Sequence, residues 1–240
     1  MKKILYILIP CYNEEEVLPV TFPLFQDALK SMIKEGLVSE ESRILYVDDG
    51  SSDNTWKQIV SFMKENSLIL GLRLEKNCGH QKALWKGLLY AKDSADLTIT
   101  IDCDGQDDIG AMKEMVEAFH KGNEIVYGVR SDRSADSFLK RTSAQNFYKL
   151  MNHLGAGLVY NHADYRLLSN RMIRELENFE VKDLFLRGMV PKIQAQSTVV
   201  YYERIERMAG ETKYSLWKMM GLAWRGMCCY RSISDRNKKR

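Results

Sequence analysis

The sequence predicts an α/β fold, a mainly parallel central sheet with helices on both faces, and two observations carry that expectation. Short apolar or β-branched runs alternate with helical periodicity from Lys3 onward, which is the pattern of successive strand and helix units. Each run then ends in a polar loop rich in acids, glycine and asparagine. Open α/β sheets bind their ligands beyond the carboxyl ends of the strands, so these loops would converge on one crevice. A chain of 240 residues buries a full core as one domain, with room for a small C-terminal appendage.

The first strand is Lys3 to Ile9. The opening MKKILYILIPCYNEEE imitates a signal peptide, but its apolar run is short, meets Pro10 and three glutamates, and lacks a small-residue cleavage site. A helix from Glu15 to Lys34 follows, then the strand Arg43 to Val47 and the helix Asn54 to Glu65. Ile69 to Leu74, Leu97 to Ile101 and Glu124 to Val129 read as further strands, separated by helices at Gln81 to Lys92 and Gly110 to Lys121. Beyond Ser134 the alternation loosens into a helical stretch to about Leu154, a short segment ADYRLLS, another helix and a strand from Thr198 to Glu206. The last unit, Lys213 to Tyr230, is an amphipathic helix, and neither a repeat nor a linker marks a second domain.

Composition excludes several classes. A net charge of +3 argues for no particular partner, and no nucleic acid is expected as one. Basic residues do cluster from Arg130 to Arg141 and from Arg204 to Arg240, which fits a phosphate-bearing ligand, a membrane face or ordinary solvated surface. Five cysteines, odd in number and without CxxC spacing, speak against a disulfide framework or a zinc site and fit a reducing compartment. The four histidines lack helical metal-site spacing. No stretch reaches the roughly 20 apolar residues that span a bilayer, so membrane contact by this chain is expected to be peripheral.

The acidic loops carry the chemistry. In DCDGQDD, Asp102 and Asp104 point the same way from an extended strand end and can share one divalent cation or its bound phosphates. Cys103 then faces the other side as a small packing residue, and Asp107 and Asp108 are expected to start the following helix. An apolar strand ending in Asp-x-Asp-Gly also opens the haloacid-dehalogenase phosphatases, in which the first aspartate is a nucleophile. In YVDDGSSDNT a glycine-serine turn follows Asp48 and Asp49, and Asp53 is placed to cap the next helix. A carboxylate at a strand end can accept from a ribose hydroxyl or a base N–H, and Asp49 is assigned that ligand role.

With these stretches in view, the chain resembles a known family. IPCYNEEEVLP, VDDGSSDNT, NCGHQKALWKGLLYA, IDCDGQDD, VYGVR, DYRLLS and ERMAGETKYS occur in the order found in the inverting family-two glycosyltransferases of the GT-A fold. The likeness runs from Ile4 to about Ala223 and is greatest to the polyprenyl-phosphate (dolichol or bactoprenol) sugar transferases. The resemblance implies that Pro10, Tyr12 and Glu14 cradle the base and ribose, with Val47 and Asp49 as second-loop contacts. It places Asp102, Cys103 and Asp104 against the nucleotide sugar and makes Asp102, Asp104 and Gln106 the metal site, for Mg2+ or Mn2+. Arg130, Arg207 and Lys213 match basic residues that hold the diphosphate or the acceptor phosphate.

Asp164, in HADYRLL, matches an aspartate implicated as a base or an acceptor-positioning group. For a lipid-phosphate acceptor, already anionic near neutral pH, Asp164 would position and Arg166 would attract. For a hydroxyl acceptor Asp164 would be the general base, and a third reading makes Asp164 and Arg166 a pair bracing a strand. Cys11, Cys78, Cys103 and His80 depart from common family residues, and Cys78 and His80 stand where donor selectivity would be tuned.

The expected layout is a GT-A catalytic domain over residues 1–212 and an amphipathic helix with a basic tail over residues 213–240. That helix suits a bilayer interface or a core face. The expectation is thus a metal-dependent enzyme that moves a hexose or N-acetylhexosamine from a nucleotide sugar, UDP-linked by preference, to polyprenyl phosphate for cell-envelope glycans. It would work at the cytoplasmic face of the membrane, as a peripheral protein or as the soluble portion of an anchored one. The alternatives are a glycan or protein hydroxyl as acceptor, and a non-catalytic sugar-nucleotide-binding module. The strand geometry predicts that Cys103→Ala keeps most transferase activity and that Asp104→Ala removes it, as read by nucleotide release; the reverse pattern would overturn the assignment.

Overall fold

The computed structural model describes residues 2–131, 162–179 and 184–205, and within them one seven-stranded sheet carries the fold. β1 (Leu5–Cys11), β2 (Arg43–Asp48), β3 (Ile69–Arg73), β4 (Leu97–Thr100) and β5 (Ile125–Arg130) lie within two residues of the runs named from sequence. Helices α1 (Leu18–Lys34), α2 (Thr55–Glu65), α3 (His80–Ala91) and α4 (Ala111–His120) fill the intervals. The start of α1 falls later than expected because Glu15 is drawn across to α2, its carboxylate accepting the Asn54 backbone N–H at 3.0 Å. The expected helix from Ser134 to Leu154 and the amphipathic helix from Lys213 to Tyr230 lie outside the described residues.

The segment ADYRLLS is a strand. β6 (His162–Ser169) runs antiparallel between β4 and β5, and β7 (Ser197–Tyr202) adds to β5 in parallel at the edge. The order is β3-β2-β1-β4-β6-β5-β7, with β6 alone reversed. Reversal has a direct consequence: the first residues of β6 emerge at the same sheet end as the last residues of β4 and β5. Helix α5 (Asn170–Glu177) follows, its start capped by Ser169 Oγ, which accepts the Met172 N–H at 3.3 Å. β7 stops at Tyr202, short of the expected Glu206, because the chain turns toward the acidic loop and Ile205 donates its N–H to the Gln106 carbonyl at 3.0 Å.

Both faces of the sheet are covered. Leu5, Ile7 and Ile9 of β1 pack with Phe25 and Leu29 of α1, while Leu8 and Val47 on the other face pack with Leu84 and Leu88 of α3. Alternate burial of this kind makes the strands apolar throughout. Among the described residues no helix is long and apolar enough to cross a membrane.

Two small features let the site form at the carboxyl end. The β1–β4 ladder ends at Leu8 and Thr100, with Ile101 donating to the Leu8 carbonyl at 3.1 Å. Two residues on, Pro10 has no N–H to offer that side of the strand, so β4 can leave the sheet there and turn into the acidic loop. Gly87 lets α3 lie close on the sheet, since a Cβ there would fall 2.5 Å from Leu8 Cδ1 and 2.9 Å from Val47 Cγ2. Overpacking costs about 1–3 kcal/mol, and the helix preference of alanine offsets about 1 kcal/mol of it. Gly87→Ala is therefore expected to lower stability by up to roughly 2 kcal/mol in urea denaturation.

Candidate active site

Five loops and the reversed strand meet at one end of the sheet. The first two are stitched together: Asn13, in a left-handed conformation with φ 53°, donates its N–H to Ser51 Oγ at 2.9 Å and accepts the Ser52 N–H on Oδ1 at 2.8 Å. The Glu14 N–H donates to Thr55 Oγ1 at 2.7 Å, and Asp53 accepts both the Thr55 N–H at 3.0 Å and the Glu15 N–H at 3.2 Å. Asp53 thus steadies the start of α2 and ties it to the first loop. Tyr12 is exposed on this platform, whereas the side chains of Pro10 and Val47 are buried, so those two form its floor.

Asp49 serves the architecture directly. Its Oδ1 accepts the Cys78 N–H and its Oδ2 the Gly79 N–H, each at 2.8 Å, and only 3% of the residue is exposed. Gly79 has φ 91° and Gly50 has φ 70°, and a Cβ on Gly50 would fall 2.6 Å from the Lys76 backbone. Glycine is required at such a close approach. The second and third loops are therefore clamped, which fixes the first turn of α3 and with it His80 and Gln81. Asp48 lies deeper, accepting the Ser51 N–H at 3.1 Å and facing Arg73 at 3.4 Å.

The fourth loop separates its acids by role. Asp102 and Asp104 are partly exposed, and Asp104 Oδ1 accepts the Gln106 N–H at 3.1 Å. Cys103 is buried beside Cys11 and Thr21. Burial pushes the Cys11 thiol well above its ordinary range, with Cys103 adding to the effect, so Cys11 is a neutral packing residue against Cys103. The Gln106 side chain accepts from Arg204, and its backbone carbonyl accepts from Ile205. Asp108 Oδ1 accepts the Gly110 N–H at 2.8 Å ahead of α4, as expected of a helix-starting residue. Asp107 differs from that expectation: it is 2% exposed and accepts from Tyr202 Oη at 2.7 Å and Arg130 Nη2 at 3.2 Å. Arg130 is thereby held at the edge of the acidic loop.

Asp164 stands at the start of β6, buried, with both oxygens engaged. Oδ1 accepts from Arg166 Nη2 at 2.6 Å; Oδ2 accepts from Arg187 Nη2 at 2.9 Å and Gln81 Nε2 at 3.0 Å, with His80 Nε2 at 3.4 Å. Burial opposes the charge of Asp164, but Arg187, the His80 hydrogen bond and Arg166 outweigh it and hold the carboxyl well below the usual range. Burial likewise opposes a charge on His80, yet Asp164 and Asp102 raise its pKa. His80 also reaches Asp102 Oδ1 at 3.7 Å, joining Asp164 to the acidic loop. Desolvation, opposed by His80, and then repulsion from Asp107, Asp104 and Asp164 push the Asp102 carboxyl up to about 6.

Of the residues expected at the site, Asp102, Asp104, Arg130 and Asp164 gather at the crevice, and Tyr12 and Glu14 lie on the platform beside it. Arg207 and Lys213 lie outside the described residues. Arg166, expected to attract an acceptor, has a side chain only 3% exposed and sits behind Asp164. Arg187 and Gln81 were not singled out from sequence; the one available signal was an arginine set alone inside the apolar run LFLRGMV.

The profile of Glycosyl transferase family 2 matches residues 6–177. The chain belongs to that family. It is a glycosyltransferase, and the phosphatase alternative drops out along with the binding-module one. Among relatives, the Bacillus subtilis (strain 168) glycosyltransferase YkoT is 48% identical over 227 residues, covering 95% of this chain and 67% of the relative. A bactoprenol glucosyl transferase of Shigella phage SfV is 33% identical over 225 residues, covering 93% of this chain and 71% of the relative. Solved structures share the GT-A fold at low identity. Glucosyl-3-phosphoglycerate synthase from Mycobacterium tuberculosis, in complex with Mn2+, UDP-glucose and phosphoglyceric acid, has a TM-score of 0.57 at 15% identity, covering 96% of this chain and 79% of that one. The mannosyltransferase PcManGT of Pyrobaculum calidifontis, in complex with GDP-Man and Mn2+, has a TM-score of 0.60 at 13% identity, covering 98% and 65%.

Removing the Asp49 carboxylate strands two backbone N–H groups inside a glycosyltransferase loop. Asp49→Ala is expected to cost roughly 2–4 kcal/mol in chemical denaturation and to speed amide hydrogen exchange at Cys78 and Gly79; unchanged exchange there would show that the clamp is not needed.

Proposed function

We propose that the protein transfers a hexose or N-acetylhexosamine from a nucleotide sugar, UDP-linked by preference, to the phosphate of a polyprenyl phosphate. The observation that carries this reading is the state of Asp164. With Arg166, Arg187, Gln81 and His80 on its two oxygens, it is too well stabilised as an anion to be a good proton acceptor. A hydroxyl acceptor needs a base; a phosphate oxygen is already a nucleophile. Relatives named as bactoprenol glucosyl transferases support the same acceptor, and neighbours crystallised with UDP-glucose or GDP-Man support a nucleotide-sugar donor.

The acidic loop fits a divalent cation by the chemistry of its donors. Asp102 and Asp104 offer hard oxygen ligands, and desolvation, with like-charge crowding after it, disfavours the ionised form of Asp102. Among the described residues no group of three His, Cys, Asp or Glu side chains forms a metal cage. Two carboxylates completed by substrate phosphates is the usual manner of binding Mg2+ at phosphate sites. Asp102 and Asp104 would hold the cation, with Gln106 nearby; its chemistry there is to neutralise charge on the departing diphosphate.

The protein's own groups do the rest. The stitched first and second loops carry Tyr12 and Glu14 against the nucleoside, and Arg130, steadied by Asp107 and Tyr202, lies where the diphosphate would leave. The acceptor phosphate oxygen forms its bond to the anomeric carbon as the bond from that carbon to the diphosphate breaks, inverting the centre. Positioning and charge supply the catalysis, since no proton has to move. This reading places the enzyme at the cytoplasmic face of a membrane, in cell-envelope glycan synthesis or modification.

A panel of UDP- and GDP-sugars incubated with the full chain, a short polyprenyl phosphate and Mn2+ or Mg2+ tests the proposal. Nucleotide release that requires the lipid phosphate and stops with a chelator is the expected result. No release from any donor, or transfer only to hydroxyl acceptors, would overturn it.

A further inference from the structure

The two acids assigned to a cation are held in different ways. Asp104 is oriented by its own loop, its Oδ1 accepting the Gln106 N–H at 3.1 Å. Asp102 lies two residues past the end of β4, beyond the ladder with β1. Among the described residues its carboxylate accepts no hydrogen bond, and the side chain paired with it is His80, with Nε2 at 3.7 Å from Oδ1.

The same Nε2 lies 3.4 Å from Asp164 Oδ2, an oxygen that has little need of it. Arg187 Nη2 at 2.9 Å and Gln81 Nε2 at 3.0 Å already supply a donor for each of its two lone pairs, and Arg166 Nη2 takes Oδ1 at 2.6 Å. His80 is therefore the longest of these four contacts on Asp164, whereas Asp102 leans on His80. With a proton on Nε2, a small rotation of the ring brings that N–H to hydrogen-bond length from Asp102.

The imidazole stands on a fixed mount. His80 is the first residue of α3. The two residues before it donate their N–H groups to Asp49 at 2.8 Å each, and the Gly79 carbonyl accepts from Lys82 at 2.9 Å and Ala83 at 3.0 Å. The backbone at His80 is thus tied on both sides, and its side chain, 24% exposed, opens on the crevice between the two acids. Carboxylates that ligate a metal are themselves held by hydrogen bonds from an outer layer of side chains, which sets their orientation.

We infer that His80 is the positioning residue of the cation site: its Nε2–H engages Asp102 Oδ1 and leaves Oδ2 directed at the cation. The inference rests on the cation reading of Asp102 and Asp104 given above and adds the side chain that aims the first of them. Asp164, with both oxygens taken, stays outside the ligand set.

The test titrates Mn2+ into the full chain at one fixed pH, alone and with UDP or GDP in excess, and counts the free ion by electron paramagnetic resonance. Wild type, His80→Leu, His80→Gln and Gln81→Ala are compared, each with its thermal midpoint. Loss of an outer hydrogen bond to a ligating carboxylate predicts a rise in the Mn2+ dissociation constant of about ten- to a hundredfold for His80→Leu. His80→Gln places an amide N–H near the position of the imidazole Nε2, and it is expected to recover most of the affinity. Gln81→Ala, which removes a donor from Asp164 and none from Asp102, is expected to leave Mn2+ affinity within about twofold. An unchanged dissociation constant in His80→Leu would overturn the inference. So would an equal loss in His80→Gln, which would assign the effect to charge, or an equal loss in Gln81→Ala, which would assign it to the Asp164 cluster. Should His80→Leu fail to fold, His80→Asn takes its place, since its shorter amide stops short of Asp102. A wild type that binds no Mn2+ in either condition would instead remove the cation reading on which the inference stands.

Discussion

The pairing of Asp164 with Arg166 inside the sheet is the constraint on which the rest of this structure depends, and the reversal of β6 decides which end of the sheet it occupies. Both residues belong to one strand, two positions apart, and both are buried. Removing one member of such a pair leaves an uncompensated charge and costs about 3–5 kcal/mol. With β6 reversed, its first residues meet the ends of β4 and β5, and Asp164 arrives beside the acidic loop. The Thr100 hydroxyl, bonded to the Asp164 carbonyl, fixes the register at that point. A parallel strand in the same place would have carried the pair to the opposite end of the molecule.

The acids of this chain divide into those that build and those that are left for chemistry. Asp48, Asp49, Asp53 and Asp107 each spend their oxygens on backbone amides, on a hydroxyl or on an arginine. Their work is to hold glycine-rich loops in fixed conformations against the cost of ordering them. Asp102 and Asp104 sit among these satisfied groups with far less of their charge neutralised. An acidic cluster in sequence therefore contains one potential cation site surrounded by scaffolding, and only the hydrogen bonds separate the two.

Sequence periodicity located the first five strands and four helices to within a few residues, because strands buried on both faces and amphipathic helices carry strong local signals. It did not show β6 as a strand. ADYRLLS carries too few apolar residues to read as a strand by periodicity, although one reading of Asp164 and Arg166 already paired them on a strand, and β6 holds that pair. The acids at strand ends were legible as a site, yet the roles within it were not. Asp49 is legible as an acid at a strand end, but its bonds to the Cys78 and Gly79 amides join loops that no local pattern connects, and Asp107 reads as a helix start until Arg130 and Tyr202 are seen against it. Arg187 and Gln81 lie far apart in the chain, 105 residues in the case of Gln81 and Leu186, and no local pattern joins them.

The seam between the first two loops bears on the thermodynamics of substrate capture. Asn13, Ser51, Ser52, Asp53 and Thr55 hold one another before any nucleotide arrives, and Asn13 has already adopted the conformation that residues other than glycine seldom take. Binding to such a surface spends little free energy on ordering the protein. Under the proposed nucleotide-sugar reading, interaction energy with the non-reacting nucleoside would thus remain available to hold the sugar taut against the acceptor side, where remote binding is converted into rate.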